Sequence, residues 1–135
     1  MIPSYFSTYA YLWGDWYYSS VFGTKRATLI GPANSTLKAN ITFTIHHDAP
    51  VTPPDLITAV YGAVNRKTGI ERILGKNERI SPLEALKAIT IKAAYQYQEE
   101  KTKESLKVGK LADLIILNEN PLKINPEGFE NILVI

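Results

Sequence analysis

The stretch ITFTIHHDAPVTPPDL, residues 41 to 56, constrains the fold more than any other part of this chain. Ile41 to Ile45 alternates β-branched or aromatic residues, and side chains two apart in a strand share a face. Thr42, Thr44, His46 and Asp48 are therefore expected on one side, with Phe43, Ile45 and His47 on the other. That alternation makes His46 and Asp48 neighbours in space. Pro50, Pro53 and Pro54 end the strand, because proline lacks the amide that a ladder uses. Thr52 or Asp55 then caps a helix from about Asp55 to Lys67, in which Ile57, Val60, Tyr61 and Val64 recur at helical spacing.

The flanking segments fit an α/β chain. Residues 2 to 8, IPSYFST, read as a short strand, and a loop is expected next. Eight of the fourteen aromatic residues lie between Tyr5 and Tyr18, so this segment is either the roof of a core or the wall of a pocket. Pro32 to Asn40 predicts a short helix with Leu37 inward and Asn40 at its end. Ser81-Pro82-Leu83-Glu84 has the serine cap, the first-turn proline and the third-position glutamate of a helix start. Leu86, Ile89, Ala93 and Tyr97 then mark one face. After a charged stretch and the turn Val108-Gly109-Lys110, Leu111 to Leu117 reads as a strand, and Ile132 to Ile135 as a last apolar run. The order of strand, helix, strand, helix, helix and strand favours parallel packing early in the chain and a separate strand pair at its end.

Composition narrows the chemistry. With 135 residues, 45% hydrophobic and 21% charged, the chain is an ordinary globular protein with room for one modest core. Its net charge of +2 comes from lysines and arginines scattered from Lys25 to Lys123, which provides no basic block to track nucleic acid. There is no cysteine, so a metal site must use histidine, carboxylate, tyrosine or carbonyl oxygen. The N-terminus lacks a basic region followed by an unbroken apolar run. No stretch reaches the ~18 apolar residues of a membrane span, so the reading is cytoplasmic, with no membrane partner.

The chemistry-bearing residues gather at the end of the 41–45 strand. In parallel α/β barrels catalytic groups stand where strands end, because the strand fixes the side chain and the loop admits substrate. Asp48 meets that description. A carboxylate there can hold a divalent metal and take a proton from the water it activates. His46, on the same face, can ligate, orient Asp48 or hydrogen-bond a substrate oxygen, whereas His47 points away. Asp15, after Trp13-Gly14, is a turn residue or a substrate contact. No glycine-rich phosphate loop and no G-x-S-x-G elbow occurs.

Four segments, PSYFSTYAYLWGDW at 3–16, HHDAPVTPPDLITAVYGAVNRKT at 46–68, ISPLEALKAITIKAAYQ at 80–96 and GKLADLIILNENPL at 109–122, resemble in order and spacing the C-terminal part of the amidohydrolase 3 family. The resemblance implies the last strands and helices of a distorted TIM (β/α)8 barrel over residues 1–104. It also implies that 105–135 returns the chain to a small β-sandwich. It matches Asp48 to the family's metal-associated, proton-shuttling aspartate and gives His46 a place beside it. Trp13 and Asp15 become candidates for the substrate pocket. Tyr9 falls where relatives usually carry a histidine ligand, making it an altered or lost ligand. The implied reaction is hydrolysis of a C–N bond other than a peptide bond, in an amide, formamide or cyclic amide, with zinc as the divalent metal.

The family's remaining ligands lie upstream of the point where this sequence begins. The expectation is therefore an incomplete barrel, inactive by itself and short of the ligands to hold the metal, which associates with the missing N-terminal part of the barrel or with itself. The competing reading is a non-catalytic remnant that binds a small ligand or a partner through its aromatic cluster.

Overall fold

The computed structural model describes residues 1–135. Strand β1 (Ser4–Phe6) leads into helix α1 (Tyr9–Trp16), which continues through a π-helical turn at Tyr17–Val21. Helices α2 (Gly23–Ala27) and α3 (Ala33–Lys38) follow, and then strand β2 (Thr44–His46). Helix α4 (Leu56–Asn65) is separated by a loop from α5 (Pro82–Ile89) and α6 (Ile91–Gln96). Two 3-10 turns, Lys76–Glu78 and Pro126–Asn131, complete the regular structure.

The two strands are parallel neighbours, with Ser4 opposite Thr44, Tyr5 opposite Ile45 and Phe6 opposite His46. Parallel strands need a long crossover, and α1 to α3 supply it. The central sheet face of Phe43 and Ile45 is buried against Val60, Ala63 and Ala85, in a core that Phe129 and Ile132 close from the C-terminal segment. Phe43 and Phe129 are fully buried. Each contributes roughly 1.5–3 kcal/mol of hydrophobic stabilisation.

Local signals act where the sequence places them. Asp55 caps α4 by accepting from the amides of Ile57 and Thr58, and Ser81 caps α5 by accepting from that of Glu84. Asn40 ends the α3 segment in the left-handed region at φ 56°.

Three expectations need correction. The aromatic segment after β1 is helical rather than a loop. Gly14 allows it, because a Cβ there would stand 2.8 Å from Thr68 Cγ2 and 3.2 Å from Leu74. The helix starting at Pro82 breaks at Thr90, whose hydroxyl donates back to Leu86 O at 2.8 Å. This break leaves Tyr97 exposed instead of aligned with Leu86 and Ile89. At the C-terminus the strand expected over Leu111 to Leu117 does not form. Leu111 to Ile116 find no strand to pair with, and only the antiparallel bridge between Leu117 and Val134 is made. Without a neighbouring ladder a strand-forming sequence stays extended and exposed. Leu111, Leu114, Ile115 and Ile116 are each more than half exposed.

Helix α4 touches the end of β1 at Gly62, where a Cβ would lie 2.8 Å from Ser7 O. Gly62→Ala is therefore expected to destabilise the chain by about 1–3 kcal/mol, because rigid backbone must move to admit the methyl group. A denaturant midpoint unchanged from wild type would show that this approach does not hold in solution.

Candidate active site at the strand ends

The C-terminal ends of β1 and β2 lie side by side, and this junction positions His46. Ser4 and Phe6 share one face of β1, and His46 projects beside them from β2. Ser4 Oγ is 2.8 Å from His46 Nδ1, and the Phe6 ring stacks on the imidazole at 5.9 Å between centroids. The Nδ1 edge is thus occupied by the serine and one ring face by the phenylalanine. Nε2 is left to meet a substrate or metal.

Asp48 stands two residues past the end of β2. The strand stops at His46, and Asp48 takes φ 58°, so the alternation of sides does not continue to position 48. The turn is fixed by its backbone. Asp48 O accepts from Val51 N at 2.8 Å, His47 Nδ1 accepts from Ala49 N at 3.1 Å, and Thr52 Oγ1 donates to His47 O. The Asp48 side chain is exposed and takes no hydrogen bond within the chain. His47 serves the turn.

Tyr9 is not at a strand end. It opens α1 and is buried, with its phenol donating to Ile30 O and accepting from Arg66 Nη2 at 2.8 Å. Burial pushes the phenol above its usual pKa of 10.0, against the lowering influence of Arg66. A neutral phenol with its proton and lone pair engaged is a poor ligand. The metal-binding part expected of Tyr9 is replaced here by a hydrogen-bonding one.

Trp13 and Asp15 part company. Trp13 lines a cleft of about 250 Å³ with Phe6, Tyr9, Tyr17 and Ile30, and two of its lining residues, Ser4 and Phe6, touch His46. Asp15 faces the other way. It accepts from Ile70 N at 3.3 Å and lies 3.7 Å from Arg72 Nε, and the Arg72 guanidinium in turn covers the Tyr18 ring. These contacts tie α1 to the 68–74 loop, so the aspartate is an anchor outside the pocket.

Sequence reasoning missed Ser4, Phe6 and Arg66. The first two were readable as one strand face, yet their pairing with His46 depends on register. Arg66 gave no signal. It follows α4 at φ 50° and is 3% exposed, and its guanidinium donates to Leu74 O at 2.6 Å, Gly31 O at 2.9 Å, Ile30 O at 2.8 Å and Tyr9.

The family model described as "Amidohydrolase family" matches residues 2–134. The chain belongs to the amidohydrolase family. Comparison with curated proteins gives no match. Among solved structures, this amidohydrolase chain is similar to an uncharacterized metal-dependent hydrolase from Pyrococcus horikoshii OT3, at 22% identity and a TM-score of 0.75 over 94% of the chain. It is also similar to an uncharacterized metal-dependent hydrolase from Pyrococcus furiosus, at 25% identity and a TM-score of 0.68 over 89%. It spans only 26% and 24% of the lengths of those two proteins. The mixed helix and strand architecture is therefore shared with metal-dependent hydrolases. No helix is long and apolar enough to cross a membrane.

A divalent metal accompanies that family, and the donors present can be tested against it. No three histidine, aspartate or glutamate side chains gather anywhere in this chain. His46 and Asp48 offer two donors, whereas a catalytic zinc typically takes three from protein. The residues of this chain alone do not make the site.

Because Tyr9 is protonated and bonded when folded, its raised pKa stabilises the fold below pH about 10, and that contribution is lost as pH rises through the folded-state value. Tyr9→Phe is expected to cost about 1–3 kcal/mol at neutral pH by leaving Arg66 short of an acceptor. It should also flatten the alkaline fall in stability relative to wild type. Identical alkaline limbs for the two proteins, followed by denaturant midpoint against pH, would refute this account of the phenol.

Proposed function

We propose that this chain is the C-terminal part of a (β/α)8-barrel hydrolase that cleaves C–N bonds other than peptide bonds, in amides, formamides or cyclic amides. The observation that carries the reading is the location of His46 and Asp48 at the C-terminal end of a parallel strand, in a chain matched over residues 2–134 by the amidohydrolase family. Barrel enzymes place their chemistry at that end. Residues 1–104 form the barrel's last strands and helices. Residues 105–135, with their exposed apolar run, belong to a β-sandwich completed by chain outside this segment.

A divalent metal, zinc being the candidate, would need ligands beyond His46 and Asp48 and would supply the acidity that lets water react near neutral pH. Asp48, solvent-facing and free of internal partners, is the group that would accept a proton from the attacking water and pass it to the departing nitrogen. His46 is held by Ser4 and Phe6, so its Nε2 has a fixed direction in which to bind or to hydrogen-bond the substrate carbonyl. Trp13 forms part of the wall that holds the substrate.

A second reading, a non-catalytic module that binds a ligand or partner, is favoured by Tyr9. Its phenol is committed to Arg66, at the position that the family resemblance matches to a metal ligand.

With only two donors to offer, the isolated chain is expected to bind zinc no better than a surface site. Calorimetry showing stoichiometric, submicromolar zinc binding that disappears in Asp48→Ala would contradict this. The activity itself is tested by joining the chain to the barrel strands that precede it in the family, loading zinc and assaying formamides, N-acyl amines and cyclic amides. Hydrolysis is expected, with Asp48→Asn lowering kcat by about 10²–10⁴-fold. A folded, metal-loaded protein inert on the whole panel, or indifferent to Asp48→Asn, would sink the hydrolase reading.

A further inference from the structure

The aromatic residues concentrated after β1 include a connected set of rings beside His46. Phe6 meets Trp13 edge-on at 5.9 Å, Trp13 meets Tyr17 at 6.4 Å, and Tyr17 meets Tyr9 at 6.5 Å. Together with Ser4, Ile30 and Gly31 these rings line the cleft of about 250 Å³, and no residue that lines it carries a formal charge.

Three of its five polar side-chain groups are already bonded, leaving the Tyr17 hydroxyl and the Trp13 indole N–H. The Ser4 hydroxyl is bonded to His46, the Tyr9 phenol to Ile30 and Arg66, and the Tyr5 hydroxyl to Thr36 at 2.7 Å. The wall therefore presents mainly carbon. An ionised group entering it would lose water and find no counter-charge in the lining, because the Arg66 guanidinium behind it already donates to Tyr9 and to the carbonyls of Ile30, Gly31 and Leu74, which makes its burial costly. A planar ring meets the faces and edges that aromatic pairs favour. The volume lies below the usual range for drug-sized ligands, so it admits one ring rather than an extended chain.

We propose that this cleft receives a neutral aromatic group of the substrate and sets its C–N bond beside His46. The proposal rests on the hydrolase reading for the word substrate, but the binding preference needs neither metal nor turnover. Trp13 is 37% exposed in the cleft wall, and so it reports occupancy.

The experiment titrates the full chain, carrying Trp16→Phe so that Trp13 is the only tryptophan, with benzamide, cyclohexanecarboxamide, acetamide and benzoate. Fluorescence and calorimetry are the two readouts. Benzamide is expected to bind saturably, about threefold or more tighter than cyclohexanecarboxamide and about tenfold tighter than benzoate, with acetamide weakest. Phe6→Leu should weaken benzamide by about fivefold while leaving acetamide unchanged. Benzoate binding as tightly as benzamide, or benzamide no better than acetamide, overturns the proposal. The comparison among ligands decides the matter even if Phe6→Leu does not fold. Aromatic selectivity in a completed barrel that hydrolyses nothing would defeat the hydrolase reading and leave this site standing. Hydrolysis without aromatic preference would defeat this proposal alone.

Discussion

The pairing of β1 with β2 is the constraint on which the rest of the structure depends. Phe6 lies opposite His46, and Thr44 N donates to Pro3 O at 2.9 Å, just before the paired residues. This single register sets Ser4 against the imidazole, turns Phe43 and Ile45 into the core, and brings both strand ends to one place. A slip by one residue would exchange the two faces, putting His46 into the core and Ile45 beside Ser4. The crossover of α1 to α3 and the packing of α4 and α5 hold that register from outside.

A second constraint lies behind the cleft. Arg66 is buried without a carboxylate partner, and its charge is accommodated by three backbone carbonyls and the Tyr9 phenol. Burying a guanidinium is tolerable only when its donors are satisfied. The arginine therefore locks together the end of α4, the 30–31 turn and the start of α1. It also decides the chemistry of Tyr9, which serves here as a hydrogen-bonding link under the aromatic wall. In this amidohydrolase chain Tyr9 is thereby a structural residue.

Much of the outline was legible in the residues. Asp55 and Ser81 cap helices because their side chains satisfy free amides next to them, a strictly local event. The 41–45 alternation placed Phe43 and Ile45 in the core. It does not extend to Asp48, because the backbone there turns into the left-handed region and ends the pleat. The aromatic segment was misread as a loop, since the close approach that requires Gly14 involves Thr68 and Leu74, more than fifty residues away.

By itself, then, the sequence determined the caps, the strand-to-helix turn, the apolar faces and the family. These arise from contacts within a few residues or from motifs kept in order. Tertiary structure alone decided that Ser4 and Phe6 hold His46, that Arg66 claims Tyr9, and that Asp15 leaves the pocket to Trp13. Each of those joins residues from 40 to 57 positions apart, and strand register and helix packing fix such pairs where no local pattern can.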